Sequence, residues 1–378
     1  MTKKIALIGS TGSIGRQVLS IVKENPWLSV VSLTAHTNRE LLEEQIIEYN
    51  PRVACLTGCD QPPAAPKGVE VYSGADSIER AVTADADIVF VAVTGFCGLR
   101  AVLAAIEAGK TVALANKEAL VCGGEIVMAK AKAKGVEIIP VDSEHSAVWQ
   151  ALGFKRQGFK RLILTASGGP FRQAKTCEMR HFTAKDALAH PNWSMGEKIT
   201  VDCATMLNKG FEVIEAHHLF SAPASSIEVV VHPQSIIHSM VEFDDNSVMA
   251  EMSVPDMRQP IQLALTYPER LPLNIPTLDL VKLSRLEFFP LDRVKFPCFD
   301  LALSALSTGA NAPTALNAAS EVAVNAFLKD RLGFTDIARV IEEVLNKTER
   351  TEMTYAALEY TDAVSRRLAM QAADRLGK

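Results

Sequence analysis

A glycine-rich segment near the N-terminus constrains this chain more than any other feature. The short apolar run Ile5–Ile8 leads directly into Gly9–Gly15, GSTGSIG, and a helical pattern over 14–23 follows. Small residues let a backbone approach a pyrophosphate, and the start of a helix offers N–H groups and a positive dipole end. The GxxGxxG spacing between a strand and a helix therefore predicts a dinucleotide-binding loop. A tight turn without a ligand is the alternative.

The first 141 residues alternate apolar runs with helical patterns, which is typical of a parallel sheet covered by helices on both faces. The runs are 5–8, 30–33, 53–56, 88–93, 112–114 and 136–141. This region is predicted to be a Rossmann-like dinucleotide-binding domain, residues 1–141.

After residue 141 the regular alternation of apolar runs and helical patterns ends. We expect a middle α+β domain, residues 142–267, with a helix over 204–219 and strands at 227–231, 236–243 and 248–253 in a mostly antiparallel sheet. Residues 268–297 contain five prolines and predict an extended linker. Residues 298–378 predict a C-terminal helical bundle. The fold class is therefore α/β, with an α+β and a helical part appended.

Composition excludes several function classes. The 378-residue chain has a net charge of -5 and no long basic run, which argues against a nucleic-acid partner. No apolar run is long enough for a membrane span, and we identify no signal peptide. The seven cysteines form no CxxC pattern, so we expect free thiols and a cytoplasmic location.

The end of the second strand bears on the choice of cofactor. NAD-binding enzymes usually place Asp or Glu there to bind the ribose 2′-hydroxyl. Here the strand ends at Ala35, and no carboxylate occurs before Glu40. Either His36 or Arg39 could bind a 2′-phosphate, which favours NADPH; a solvated helix start is the alternative.

Carboxylates follow the last predicted strand of this region, where ligands bind in open α/β sheets. Asp142 and Glu144 flank Ser143 and could converge on a hard cation. Alternatively, Asp142 or Ser143 caps the next helix.

Three later segments suit a phosphorylated substrate. Ser167–Pro170, SGGP, could bind an anion through its N–H groups or be an ordinary turn. His190–Gly196, HPNWSMG, could close on a substrate as a lid, or Trp193 could belong to the core. Asn208 and Lys209 could hold phosphate while Glu212 reaches a metal, or Lys209 and Glu212 form a surface pair.

Together these segments resemble the 1-deoxy-D-xylulose 5-phosphate reductoisomerase family. The matching strings, in chain order, are GSTGSIG (9–15), ANKEAL (115–120), PVDSEHSA (140–147), SGGPF (167–171), HPNWSMG (190–196), TMLNKG (205–210), HPQSIIHSMVEF (232–243) and PDMRQPI (255–261).

The resemblance implies a role for each matching residue. The cofactor NADPH would contact Thr11, Gly12, Ser13, Ile14, His36, Thr37, Asn38, Asn116, Glu118 and Gly196. Mg²⁺ or Mn²⁺ would be bound by Asp142, Glu144 and Glu212, which with Lys117 form the catalytic set. The phosphosugar would contact Lys117, Ser143, Glu144, Ser167, His190, Cys203, Asn208, Lys209 and Glu212, and Trp193 would belong to the lid. Cys203 stands where the family usually has a serine.

The resemblance also implies an activity. The substrate, 1-deoxy-D-xylulose 5-phosphate, would rearrange and then be reduced by NADPH to 2-C-methyl-D-erythritol 4-phosphate in isoprenoid biosynthesis, by a homodimer. Two other functions fit parts of the pattern: a metal-independent NADP-dependent dehydrogenase, and a non-catalytic NADPH-sensing protein.

Overall fold

A computed structural model describes residues 2–156, 158–189, 193 and 195–377. The chain divides into two compact units. The first unit contains the segment that ends at Ala119, together with Val127–Ser146 and Asp256–Ile275. The second contains Leu120–Ile126, Ala147–Pro255 and the segment that begins at Pro276.

The described strands are, in chain order, β1 (Lys3–Ile8), β2 (Leu28–Ala35), β3 (Val53–Leu56), β4 (Glu70–Ser73), β5 (Ile88–Val91), β6 (Thr111–Leu114), β7 (Ile138–Pro140), β8 (Arg161–Ala166), β9 (Ile227–Val231), β10 (Ile237–Glu242), β11 (Val248–Met252) and β12 (Phe289–Pro290). The described α-helices are α1 (Ser13–Glu24), α2 (Arg39–Tyr49), α3 (Ser77–Val82), α4 (Cys97–Glu107), α5 (Glu118–Lys134), α6 (Ser143–Ala151), α7 (Ala184–Ala187), α8 (Glu197–Ala204), α9 (Leu207–Phe220), α10 (Arg258–Thr266), α11 (Leu280–Leu283), α12 (Pro297–Thr308), α13 (Ala312–Leu328), α14 (Asp336–Lys347) and α15 (Tyr355–Leu376).

The first unit is built on a parallel seven-stranded sheet in the order β4-β3-β2-β1-β5-β6-β7. The central strands are buried on both faces, which is why their apolar runs are nearly continuous. The predicted parallel sheet is thus confirmed. Strand β4 and helix α3 were not predicted from the sequence. Strand β4 lies at an edge and is only partly buried, so its apolar pattern is weak.

The second unit contains a mixed five-stranded sheet in the order β11-β10-β8-β9-β12. Three of its pairings are antiparallel, and β8 with β9 is parallel, so the prediction of a mostly antiparallel sheet is confirmed. A turn joins β10 and β11, with Asn246 at φ 65° and Phe243 N–H bonded to the Ser247 carbonyl at 2.9 Å.

Helices make up most of the C-terminal region. Helices α13, α14 and α15 pack against one another, and α12 packs against α13. The predicted linker 268–297 contains the short helix α11 and the two-residue strand β12. The domain boundaries at 141, 267 and 297 stay predictions. Among the described residues, no helix is both long and apolar enough to cross a membrane.

The helix predicted over 204–219 is present as α9, but it begins later than predicted, at Leu207. Met206 adopts a left-handed conformation, with φ 61°, and separates α8 from α9. A non-glycine residue rarely takes this conformation, and the helical hydrophobic pattern carries no sign of it. The break lies between Cys203, near the end of α8, and Asn208, near the start of α9.

Helix α9 contacts α12 so closely at Gly210 that no side chain fits there. A β-carbon on Gly210 would lie 2.4 Å from Cβ of Ala302. Gly210→Ala should therefore lower the free energy of unfolding by about 1–3 kcal/mol, despite the better helix propensity of alanine. Urea unfolding followed by circular dichroism measures this change.

Exchanging the two residues gives the matched control. In Gly210→Ala/Ala302→Gly the methyl group moves to the facing helix and the overlap disappears. The double variant should regain most of the lost stability. Equal losses in the single and double variants would show that the contact between the helices does not limit residue size.

Candidate active site

Close backbone contacts shape the glycine loop after β1. Gly9 has φ 94°, and a β-carbon there would lie 2.8 Å from the Ala92 carbonyl oxygen. A β-carbon on Gly15 would lie 2.1 Å from the Gly9 carbonyl oxygen. Thr34 Oγ1 at the end of β2 accepts a hydrogen bond from Gly9 N–H at 2.9 Å. The loop is thus fixed against its neighbours, and Gly12 is its least crowded glycine.

This loop stands where strand order reverses. Strand β1 pairs with β2 on one side and β5 on the other, and chain order proceeds outward from both. Ligands of open α/β sheets bind in the crevice outside the strand ends at such a switch point. Thr11, Gly12, Ser13 and Ile14 lie at this crevice, at the start of α1.

Two side chains in the loop after β2, His36 and Arg39, are candidates for binding a 2′-phosphate, and they differ in their hydrogen bonds. The Arg39 guanidinium donates to the carbonyls of Gln61 at 2.8 Å and Pro62 at 2.7 Å, so both of its terminal nitrogens already donate to the backbone. His36 is exposed, with Nδ1 3.4 Å from Thr57 Oγ1. Thr37 is exposed beside it, and Asn38 caps α2 by accepting from Leu41 N–H at 3.3 Å.

Asn116 links the ends of β5 and β6. Its amide nitrogen donates to the carbonyls of Val93 and Gly95, both at 3.1 Å, and to Glu118 at 2.8 Å. Its amide oxygen accepts from Ala119 N–H at 2.9 Å. With 1% of its surface exposed, Asn116 fixes the loop after β5 and orients Glu118.

Charged residues meet at the ends of β6 and β7. Lys117 Nζ lies 2.8 Å from Asp142 Oδ2, and both side chains are almost buried. The Ser143 hydroxyl donates to Glu144 Oε2 at 2.6 Å. Asp142, Ser143 and Glu144 thus lie together at this edge of the sheet, where Asp142 pairs with Lys117 and Ser143 with Glu144.

In the second unit, the Ser167–Pro170 segment contacts the end of α8. Gly168 and Gly169 have φ 83° and 65°, conformations that favour glycine. Gly169 N–H donates to Ser167 Oγ at 3.2 Å. A β-carbon on Gly169 would lie 2.8 Å from the Cys203 carbonyl oxygen. The predicted anion-binding loop and Cys203 are therefore neighbours.

Helix α9 carries a buried polar cluster. Asn208 donates to Glu212 Oε1 at 2.5 Å, and Lys209 forms an ion pair with Glu212 Oε2. The exposed fraction is 8% for Asn208, 4% for Lys209 and 1% for Glu212. The alternative of a surface Lys–Glu pair is wrong, because surface residues would not be this buried.

The predicted lid is only partly described. Trp193 is half-buried, and its ring lies edge-on to the His238 ring with centroids 6.0 Å apart. The Gly196 carbonyl accepts from both the N–H and the hydroxyl of Thr200 at the start of α8. His190 lies outside the described residues.

Sequence reasoning missed two groups around these sites. Lys198 pairs with the buried Asp202 at 2.5 Å one turn before Cys203, an i, i+4 spacing that could have indicated it. Gly58 lies under the His36 ring. Nothing in the sequence near Gly58 points to His36, because the contact joins the ends of two different strands.

A parallel sheet with a glycine loop at its switch point, and charged residues at neighbouring strand ends, defines a dinucleotide-dependent enzyme. Three family models match the chain: 1-deoxy-D-xylulose 5-phosphate reductoisomerase over residues 5–124, its C-terminal domain over 138–220, and the DXP reductoisomerase C-terminal domain over 252–368. The chain belongs to the 1-deoxy-D-xylulose 5-phosphate reductoisomerase family.

Individual relatives agree. The enzyme of Anaeromyxobacter dehalogenans is 51% identical over 91% of this chain and 90% of its own. The Zymomonas mobilis enzyme, solved in complex with NADPH, has a TM-score of 0.91 at 38% identity and covers 100% of both chains. Another reductoisomerase structure, in complex with NADPH, fosmidomycin and magnesium, has a TM-score of 0.92 at 35% identity over 99% of both chains.

The resemblance and the fold expected from it are thus confirmed, as is the family activity. The assignment decides against a metal-independent dehydrogenase and a non-catalytic sensor. The roles of individual residues stay predictions.

The position of Cys203 beside the Ser167–Pro170 loop yields a prediction. A thiol donates a poorer hydrogen bond than the usual serine, while phosphate is held mainly by charged and strong donors. Cys203→Ser should leave kcat nearly unchanged and lower KM for the phosphosugar by the equivalent of about 0.5–1.5 kcal/mol at most. Steady-state kinetics with wild type and variant measure both constants.

Thiol labelling, mapped by mass spectrometry, supplies a second readout. Substrate should protect Cys203 while exposed Cys97 and Cys177 react regardless. Burial raises the pKa of Cys55 to about 11 and that of Cys298 to about 12, so these thiols should react last. Unchanged KM together with equally fast labelling of Cys203 in saturating substrate would place this thiol outside the phosphate pocket.

Proposed function

We propose that this chain converts 1-deoxy-D-xylulose 5-phosphate to 2-C-methyl-D-erythritol 4-phosphate, using NADPH and Mg²⁺ or Mn²⁺, through the residues assigned below. The observation that carries the assignment is the buried cluster on α9. An amide and an ammonium both contact Glu212, whose side chain is 1% exposed. Burying charged groups costs free energy of desolvation even when they are paired, so we take this buried cluster to serve ligand binding.

The cofactor is assigned to the first unit. The pyrophosphate of NADPH would lie at Thr11–Ile14, where α1 begins, and the adenosine 2′-phosphate at His36–Asn38. Glu118 would contact the cofactor at the β6 end of the crevice, and Asn116 would act mainly by fixing the Val93–Gly95 loop. Gly196, at the start of α8, would also contact the cofactor.

The metal is assigned to Asp142, Glu144 and Glu212. Carboxylate oxygens are the donors that Mg²⁺ and Mn²⁺ prefer, so the donor set fits. Asp142 and Glu212 each have a lysine ammonium as charge partner. A divalent cation is also positive and carries a higher charge than a lysine ammonium, so it would attract these carboxylates more strongly. When bound, the ion supplies Lewis acidity that stabilises negative charge on substrate oxygens.

The remaining polar residues would position the substrate. Lys117 would contact its reacting part, since its ammonium already lies at Asp142. The phosphate would be bound by Ser167, His190, Cys203, Asn208 and Lys209, because cations and strong donors suit it. Ser143 would orient Glu144. Trp193 would close over the substrate, exclude water and retain fragments formed during the rearrangement.

Activity itself is tested directly. NADPH oxidation with 1-deoxy-D-xylulose 5-phosphate, followed by absorbance, should require a divalent metal, stop with EDTA and recover with Mn²⁺. Complete activity in EDTA would contradict the metal assignment.

The three carboxylates give a sharper prediction. Asp142→Asn, Glu144→Gln and Glu212→Gln should each lower kcat/KM by at least about a hundredfold, the order expected when stabilisation of a developing oxyanion is impaired. The isosteric changes keep side-chain volume and an acceptor oxygen, but Asp142→Asn and Glu212→Gln leave a largely buried lysine without its charge partner. Thermal melts therefore establish that each variant is folded. Steady-state kinetics at limiting Mn²⁺ and Mn²⁺ binding followed by electron paramagnetic resonance measure the effect.

NADPH binding and a surface variant are the controls. NADPH should still quench protein fluorescence in all three variants, because the glycine loop is separate. Glu107→Gln, which changes an exposed ion pair with Lys130, should behave as wild type. Near-normal turnover of Glu212→Gln at limiting Mn²⁺ would show that Glu212 is only the partner of Lys209.

We also propose a cytoplasmic homodimer associated through the mixed sheet. All seven cysteines are free, which suits a reducing compartment. Strand β11 forms one edge of this sheet, and Val248 and Met249 on it are 51% and 55% exposed.

An exposed apolar edge strand is a surface that native proteins usually cover. Light scattering should therefore give about twice the chain mass of 41.0 kDa, and Met249→Lys should shift the mass towards that of the monomer. A wild-type mass of one chain at micromolar concentration would refute the dimer.

A further inference from the structure

His36 contacts Gly58 just beyond the ends of β2 and β3, at the proposed adenosine end of the cofactor crevice. Beyond the ends of β2 and β3 the ladder continues, with Thr57 N–H bonded to the Ala35 carbonyl at 2.9 Å and Gly58 N–H to the His36 carbonyl at 2.8 Å. These bonds place His36 and Gly58 side by side just past the sheet.

The imidazole ring lies directly over the Gly58 α-carbon. A β-carbon on Gly58 would lie 2.4 Å from Cε1, 2.5 Å from Nδ1 and 2.8 Å from Nε2 of His36. Approach in the ring plane along Cε1 would leave both nitrogens clearly farther away than Cε1. The nearly equal distances therefore place the β-carbon over the face of the ring. Only glycine at position 58 leaves room for the ring in this orientation.

The segment that carries Gly58 is fixed to α2 and has little freedom to move away. Arg39 in the first turn of α2 donates to the carbonyls of Gln61 and Pro62. Glu43 Oε1, one turn later, accepts from Ala64 N–H at 2.8 Å. A larger residue at position 58 would consequently displace the His36 ring rather than the segment.

The ring orientation leaves one nitrogen for a ligand. Nδ1 faces Thr57 Oγ1 at 3.4 Å, and the Thr57 hydroxyl itself donates to the Ala35 carbonyl at 3.3 Å. Among the residues that the structure describes, none hydrogen-bonds to Nε2, and the side chain is exposed. Because the Thr57 hydroxyl proton goes to Ala35, Nδ1–H would donate to Thr57 Oγ1. A phosphate oxygen is an acceptor, and it would be met by Nε2–H of the imidazolium form, in which both ring nitrogens are donors.

We infer that Gly58 is a positioning residue for cofactor choice: it lets His36 lie flat with Nε2 directed at the 2′-phosphate of NADPH. This inference rests on the proposed role of His36 in binding that phosphate. Arg39 contributes by fixing the Gln61–Pro62 segment, not by contacting the phosphate. NADH lacks the 2′-phosphate, so its binding is independent of the ring.

Substitution of Gly58 tests whether this residue affects the binding of NADPH without affecting the binding of NADH. Gly58→Ala should raise KM for NADPH by roughly tenfold, the loss of one hydrogen bond to a charged group. KM for NADH, and kcat at saturating NADPH, should stay within about twofold of wild type. A structural defect of the loop would instead affect both cofactors. Steady-state kinetics with the two cofactors under identical salt conditions supply the comparison.

A double variant tests whether Gly58 acts through His36. His36→Ala alone should raise KM for NADPH by a similar factor. In the His36→Ala background the Gly58→Ala change should have no further effect, because the ring that the new methyl group displaces is absent. Cys59→Ala, which alters the next position without adding an atom, is the matched control and should not change cofactor preference. Thermal melts establish that each variant is folded.

The possible failures are distinguishable. If His36→Ala raises KM for NADPH but Gly58→Ala does not, the positioning role is refuted and the proposed phosphate contact stands. If Gly58→Ala weakens NADPH and NADH equally, or adds fully to His36→Ala, Gly58 acts on the loop and the inference is wrong. If neither variant changes KM for NADPH, the proposed role of His36 fails as well.

Discussion

Parallel pairing of β1 with β2 and β5 is the constraint on which the first unit depends. Parallel strands end at the same edge of a sheet, so loops far apart in sequence are brought together there. The glycine loop, His36, Asn116 and Asp142 each follow a different strand end of this one sheet. No single segment could supply these groups alone.

Charge compensation imposes a second constraint. Asp142, Asp202 and Glu212 are largely buried, and each is paired with a lysine from the same unit. A buried charge without a partner costs several kcal/mol, about 3–5 kcal/mol when one partner of a buried pair is removed. The lysines therefore serve the fold as well as any ligand. Neutral isosteres also leave a lysine without its charge partner, but they keep the volume and an acceptor oxygen that alanine removes, so they disturb the fold less than alanine.

The sequence predicted the elements whose burial is complete and missed those whose burial is partial. Strand β1 is recognisable because it is buried on both faces, whereas β4 at the sheet edge is not. The cluster on α9 could be placed on one helix face from its spacing, but spacing alone could not show that it is buried. The left-handed Met206 and the contact of Gly58 with His36 depend on tertiary packing, and no local pattern in the sequence reports them.

The mixed sheet has two unequal edges. Strand β11 exposes a five-residue edge, whereas the opposite edge is the two-residue β12, which ends in Pro290. Proline lacks the N–H that a further strand would need, and a strand this short offers little else. Growth by strand addition is thus open on one side only. If two copies pair through their β11 edges, as proposed, each uses the longer edge of its mixed sheet, so strand addition through this sheet would close at a pair and would not continue into a fibre.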